Sequence, residues 1–274
     1  MRRLFTASAL IFAGLTSAAL APNLALAQVQ LPEPPVGLQP LPPRRPPPAS
    51  VKPYVPVPVT LPATFDDPSF VAFRKDLATI AQHKDRAALA KLIVAKGFFW
   101  LQDKDLADRS KPGIDNLAKA IDLDAQSGSG WEVVAEAAAE PTAAELPQHR
   151  GIFCAPAPPG FDRQAFANLL QATETESEVT EWVYPADSGV EVRTAAQANA
   201  QVVAELGLYL VRMLPDSMPT DSSGAPSFLH VALPNGKTGF VATASMAPLA
   251  TDDICYIKDT SSWKITGYIG GVQP

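Results

Sequence analysis

The chain has 274 residues, of which 47% are hydrophobic, and a formal net charge of −6. This acidic balance argues against a general nucleic-acid binder, because such a protein needs a basic surface to neutralise phosphates. The length exceeds what one small domain needs, so we expect two folded units together with unstructured segments.

Residues 1–27 have the three parts of a secretion signal. Two arginines follow Met1, residues 4–20 are apolar and rich in alanine, and Ala25-Leu26-Ala27 offers a cleavage site. An uncleaved membrane anchor is the alternative, but a Pro-Asn pair directly after the apolar run leaves it short of a comfortable span. We therefore expect cleavage after Ala27, a location in the periplasm or outside the cell, and no transmembrane span afterwards.

Residues 28–62 form a proline-rich segment. Proline lacks an amide donor and fixes φ, so this composition excludes a helix or a central strand. A disordered or polyproline II spacer is the expected structure. The stretch Pro40–Arg45 also fits a PxxPxR ligand of eukaryotic SH3 domains, but a plain spacer is the preferred interpretation.

Residues 63–180 predict a small helical domain. Asp67 is suited to cap a first helix, in which apolar residues recur at helical spacing from Phe70 to Ile80. Asp85, Ser129 and Asp162 are suited to cap further helices. The aromatic run at residues 98–101 is interpreted as core.

Residues 181–249 carry short β-rich runs broken by turn residues, a pattern that is typical of a small barrel. Asn235-Gly236 predicts a tight hairpin within it. Val192-Arg193 and Gly239-Phe240-Val241 resemble the beginning and end of the bacterial SH3-like family pattern, and the likeness covers residues 182–249. Phe228 is the nearest substitute for the central tryptophan of that family.

The resemblance implies a β-barrel of the cell envelope that acts as a non-catalytic binding module. The expected ligand is a peptide or glycan of the cell wall, or a partner protein of the envelope. The candidate contact residues are the aromatic side chains Tyr184, Tyr209, Phe228 and Phe240. The alternative for each of them is a place in the barrel core.

Residues 250–274 predict a C-terminal β-hairpin, and Cys255 lies in its first strand. In an exported chain the two cysteines, Cys154 and Cys255, are expected to form a disulfide, with free thiols as the alternative. The predicted fold class is therefore α+β and multidomain: a small N-terminal helical domain, then an SH3-like β-barrel with an extra hairpin. A second possible architecture joins the helices and the hairpin into one α+β unit, with the barrel inserted.

Catalytic motifs such as HExxH and GxSxG are missing from the sequence, and we predict no catalytic residue, metal or cofactor. His149 precedes Cys154 by five residues, so a Cys/His hydrolase of the envelope is one alternative function. A structural or regulatory protein that docks through its helical domain is another.

Overall fold

The computed structural model describes residues 51–173, 179–215, 227–260 and 262–270, so the predicted signal peptide and residues 28–50 lie outside it. Within these ranges the chain forms five helices and fourteen strands. The helices are α1 (Pro68–His83), α2 (Arg86–Lys91), α3 (Gly113–Ala120), α4 (Ser129–Ala139) and α5 (Arg163–Thr173). The strands are β1 (Val59–Thr60), β2 (Phe99–Leu101), β3 (Ala144–Glu145), β4 (Ile152–Ala155), β5 (Gly160–Phe161), β6 (Trp182–Pro185), β7 (Val190–Arg193), β8 (Val202–Leu206), β9 (Val211–Met213), β10 (Phe228–Ala232), β11 (Thr238–Ala242), β12 (Met246–Pro248), β13 (Asp253–Asp259) and β14 (Ser262–Ile269).

A five-stranded sheet in the order β2-β14-β13-β4-β3 organises the first part of the fold. The C-terminal hairpin β13–β14 is its centre, with β4 antiparallel to β13 and β2 parallel to β14. Helices α1 to α4 bury their apolar residues in one core with Ile254, Tyr256 and Ile265 of the hairpin. We call residues 64–158 and 251–270 the helix–sheet region.

Local capping explains where three of the helices begin. The Asp67 carboxylate accepts from the backbone N–H groups of Ser69 and Phe70, at 2.7 and 3.2 Å. Asp85 accepts from Ala88 N–H, and Asp162 plays the same part for α5. These side chains satisfy amide donors that have no partner within the helix. Helix α4 differs from the prediction, because Ser129 is its first residue and Gly128, with φ 79°, is the cap.

The prediction of a separate N-terminal helical domain is wrong, because the helices share their core with strands from the C-terminal hairpin. The protein is mostly β in its described part, with sheets of two, five and seven strands. In the aromatic run at 98–101 Phe98 and Trp100 are buried as predicted, but residues Phe99–Leu101 form strand β2. Strands β3 and β4 also lie within residues 63–180, where a helical domain was predicted. Helices α1 to α4 and the hairpin form one unit, and the seven-stranded sheet lies between them in sequence.

A disulfide joins Cys154 to Cys255, as predicted, with an S–S distance of 2.03 Å. The two residues are direct neighbours across β4 and β13. Side chains alternate between the faces of a strand, so Cys255 lies on the side of the sheet opposite Ile254 and Tyr256. The disulfide therefore lies on the sheet face opposite the helices. It joins the two ends of the long insertion that contains the seven-stranded sheet.

The inserted part is a seven-stranded antiparallel sheet in the order β12-β6-β9-β10-β11-β7-β8. Every strand contributes to one aliphatic core, made of Val183, Val192, Leu206, Val211, Val231, Leu233, Val241 and Met246. The predicted Asn-Gly hairpin joins β10 to β11: Gly236 has φ 79°, and Leu233 N–H donates to Lys237 O at 2.8 Å.

Residues 51–62, which belong to the predicted spacer, lie against the seven-stranded sheet. Tyr54 is buried, and its hydroxyl donates to Ala232 O at 2.9 Å. Helix α5 joins the same cluster, where the ring of Phe166 meets that of Trp182 at 5.4 Å. We call residues 51–62 and 159–250 the seven-stranded region.

Candidate functional site

The outer side of strands β7, β10 and β11 carries a group of large side chains that we call the aromatic face: Arg193, Phe228, His230 and Phe240. Their neighbours along the strands, such as Val192, Val231 and Val241, point into the core. Because side chains alternate along a strand, the four residues of the aromatic face point away from that core. Each of them is half-buried and keeps part of its surface open.

Three of these residues form one row across the sheet. Phe240 lies directly opposite His230 on one side and Arg193 on the other. The rings of His230 and Phe240 stack, with centroids 4.6 Å apart and planes inclined by 14°. Arg193 forms an ion pair with Glu191, and its Nη1 donates to Ala200 O at 2.8 Å, so its guanidinium is held at the end of the row.

The structure separates the four predicted contact residues into two pairs. Phe228 and Phe240 belong to the aromatic face. Tyr184 is only 7% exposed and packs in the core with Trp182. Tyr209 is half-buried against the aliphatic core. Burial raises the pKa of both tyrosine hydroxyls, and the nearby Glu140 carboxylate adds to the effect on the pKa of Tyr184.

A cleft of about 530 Å³ lies where the helix–sheet region meets the seven-stranded region. Two of the three chain crossings between the regions, those near residues 158 and 250, contribute to it. Its lining residues are Val133, Glu136, Ala137, Glu140, Ala155, Pro156, Thr180, Pro248, Ala250, Thr251, Asp252 and Ile254. Clefts of this size between two structural regions are common places for small ligands.

The polar side chains of the cleft are carboxylates and hydroxyls, and among the described residues no lysine, arginine or histidine lines it. Glu140 accepts from Thr142 N–H at 2.8 Å, and Asp252 accepts from the Tyr268 hydroxyl at 2.6 Å. Burial, together with the nearby charge of Asp252, raises the pKa of the neighbouring Asp253 to about 7. This lining suits hydrogen-bond donors, such as an amine or a hydroxyl group.

A second groove, of about 520 Å³, lies on the helical side of the helix–sheet region. Arg86 bridges two of its acids, Asp115 at 2.9 Å and Asp124 at 3.5 Å. The charges of this groove compensate one another, and their exposed ion pairs contribute little to stability.

The Cys/His hydrolase hypothesis needs a free thiol, because the thiolate is the nucleophile. Both Cys154 and Cys255 are in the disulfide. His149 stacks on the ring of Phe99, with centroids 6.2 Å apart. The Cys154 sulfur, which this hypothesis needs as a free nucleophile, is therefore already bonded in the disulfide.

Sequence reasoning missed Arg193 and His230 as parts of the aromatic face, and all the acids of the cleft. The pairing of His230 with Phe240 could have been found from the predicted Asn235-Gly236 hairpin, because a tight turn fixes the register of its two strands. Arg193 lies on a strand that no hairpin joins to Phe240, so its place in the row could not be found in this way. The cleft gave no such signal, because Glu140 and Asp252 come from segments more than a hundred residues apart.

Comparison of the chain with family models, curated proteins and solved structures found no match. The resemblance of residues 182–249 to the bacterial SH3-like family therefore stays a prediction. In the part of the chain that the structure describes, no helix is long and apolar enough to span a membrane, and no group of three His, Cys, Asp or Glu side chains could hold a metal ion.

Proposed function

We propose that the chain is an exported, non-catalytic protein of the cell envelope that binds peptidoglycan through the aromatic face. The row formed by His230, Phe240 and Arg193 carries this proposal. Its stacked rings form an apolar ridge on the sheet against which a sugar ring can pack, and the polar groups beside it can bond to sugar hydroxyls. The strand faces of small barrels bind oligosaccharides in the same manner.

Two further observations support the proposal. A disulfide is typical of proteins in oxidising compartments outside the cytosol, which agrees with the signal peptide predicted for residues 1–27. The predicted likeness of residues 182–249 to an envelope family of binding modules points in the same direction.

The test is co-sedimentation of the mature chain, residues 28–274, with purified peptidoglycan sacculi. Phe240→Ala removes one half of the stacked pair, and we expect the apparent Kd to rise at least tenfold, which corresponds to about 1.4 kcal/mol. His230→Ala should weaken binding in the same direction. The circular dichroism of each variant shows whether it is folded.

Phe161→Ala is the matched control, because Phe161 is another half-buried phenylalanine of the seven-stranded region and packs on Phe166 instead. Its affinity for sacculi should equal that of the unmodified chain. Equal losses in Phe161→Ala and Phe240→Ala, or no retention of the unmodified chain, would contradict the proposal.

A further inference from the structure

Strand β8 forms an open edge of the seven-stranded sheet. It pairs with β7 on one side, and among the described residues no strand pairs with its other side. Backbone N–H and C=O groups on such an edge are free to accept another strand. The edge is five residues long, which is an ordinary length for a strand in a sheet.

Two adjacent valines on this strand are exposed, Val202 at 39% and Val203 at 50%. Neighbouring residues point to opposite faces of a strand, so their joint exposure comes from the open edge and not from one solvated face. Among the described residues, Val55 is the only other large hydrophobic side chain with this degree of exposure.

The usual protection of a sheet edge is weak here. Edge strands commonly carry lysine or proline, which discourages pairing with another chain. The sequence of β8, Val-Val-Ala-Glu-Leu, has neither, and three of its five residues are valine or leucine.

The one charged residue of β8, Glu205, has no counter-charge among the residues that the structure describes. Glu205 lies directly opposite Glu191 across the β7–β8 pair, and like charges in this position repel each other. Arg193 forms its ion pair with Glu191, whereas no ion pair of Glu205 occurs within the described residues. A basic side chain on an added strand would lie beside Glu205 and relieve this repulsion.

We propose that the free edge of β8 binds an extended basic segment of a partner protein, which adds to the sheet as an eighth strand. Val203 and Glu205 share one face of the strand, so the segment carries an apolar and a basic residue two positions apart. Backbone hydrogen bonds supply affinity in this mode of recognition, and the alternate side chains supply specificity. The net charge of −6 favours the approach of a basic partner.

The probe is the synthetic peptide acetyl-Thr-Lys-Thr-Val-Thr-Lys-Thr-Val-amide, titrated into the mature chain and followed by amide NMR. Chemical-shift changes should concentrate at β8, and its outward amides should gain protection from hydrogen exchange. A peptide with glutamate in place of both lysines should bind at least tenfold more weakly. A peptide with proline in place of the threonine at its fifth position loses a ladder donor and should also bind more weakly.

Two variants of the chain locate the site. Glu205→Lys and Val203→Lys should each weaken binding of the lysine peptide at least tenfold, and Glu205→Lys should improve binding of the glutamate peptide. Val55→Lys is the matched control, because it places the same charge at an exposed valine away from the edge, and its affinity should be unchanged.

Three outcomes would overturn the proposal: equal affinity for the lysine and glutamate peptides, equal weakening by Val55→Lys, or shifts located away from β8. A concentration-dependent dimer that Val203→Lys abolishes would assign the edge to a second copy of the chain instead. None of these outcomes involves Phe240, so this proposal and peptidoglycan binding fail independently.

Discussion

The two regions of the protein are built on different principles. The core of the helix–sheet region contains a cluster of aromatic rings, in which Phe70 meets Phe65, Phe73, Tyr256 and Trp263 at centroid distances of 4.9 to 6.1 Å. In the seven-stranded region the core between the strands is aliphatic, and the buried rings form a separate, smaller cluster around Trp182. The first region is assembled from segments that flank a long insertion and carries the disulfide, whereas most of the second is made of consecutive strands.

This difference suggests that each region depends on its own source of stability. A region made of distant segments loses much chain entropy when it folds, and a cross-link reduces that loss. A run of short hairpins closes only small loops. The four tryptophans divide usefully between the regions, with Trp100, Trp131 and Trp263 in one and Trp182 in the other. Fluorotryptophan labelling with ¹⁹F NMR can therefore follow both regions in one sample.

Removal of the disulfide should have the largest effect. The double variant Cys154→Ala, Cys255→Ala opens a link between residues 101 positions apart. The chain-entropy model predicts a loss of about 4–5 kcal/mol for a loop of this length. In guanidinium titrations the three tryptophans of the helix–sheet region should unfold at lower denaturant than in the unmodified protein.

Trp182 should keep its midpoint in the same titration, because the aliphatic core and α5 do not contain the disulfide. A common shift of all four resonances would show that the two regions unfold as one cooperative unit, and the comparison between them would then fail.

Truncation of one aromatic ring should come next. Phe70 is fully buried, and Phe70→Ala leaves a cavity among four other rings, so we expect a loss of about 3–5 kcal/mol in the helix–sheet region. Val241→Ala is the counterpart in the aliphatic core and removes less apolar surface, so its loss should be about 2 kcal/mol.

The measurement is again the denaturant midpoint of each tryptophan. Phe70→Ala should lower the midpoints of Trp100, Trp131 and Trp263, and Val241→Ala that of Trp182. If Val241→Ala had the larger effect, the aromatic cluster would not be the main source of stability.

Local features of the sequence predicted much of this structure. The caps at Asp67, Asp85 and Asp162 act within three residues of themselves, and the Asn235-Gly236 turn fixes its own hairpin. The hairpin of β13 and β14 was also predicted, because alternating apolar residues and a short link suffice to indicate it.

The features that sequence reasoning missed depend on distant partners. Phe99–Leu101 is a strand because Gly267 to Ile269 pairs beside it, more than 160 residues later. Ile152–Ala155 is a strand because β13 completes the sheet. Neither run has the length or alternation to reveal a parallel or central pairing. The cleft could not be predicted for the same reason, because its acidic residues come together only when both regions are folded.

The free energy of unfolding should depend on pH through Asp253, which lies beside the connection between the two regions. This carboxyl is 8% exposed, and burial raises its pKa to about 7, above the value of 3.8 expected in the unfolded chain. The protonated form is therefore favoured in the folded state. Its contribution is fully present below about pH 4 and is lost as the pH rises through 7, by on the order of 4 kcal/mol.

Asp253→Asn replaces the carboxyl with a neutral group of the same shape. The difference in free energy of unfolding between variant and unmodified protein should therefore change between pH 4 and pH 7, and be constant below pH 4. Asp103→Asn, at an exposed loop position, is the control. A difference that does not depend on pH would show that Asp253 is not protonated in the folded protein.

The smallest effects should come from the helix caps, and they test whether each helix belongs to the region assigned to it. Asp162→Ala removes the cap of α5, whose Phe166 contacts Trp182. We therefore expect the free energy of unfolding that Trp182 reports to fall by about 1 kcal/mol. Asp85→Ala removes the cap of α2, whose Leu89 lies in the aromatic-rich core, and should instead affect the other three tryptophans by about the same amount. Because the two substitutions are chemically identical, any difference in which tryptophan responds reports the location of the helix alone. The opposite pattern would place α5 energetically with the helix–sheet region, although its contacts lie with the seven-stranded sheet.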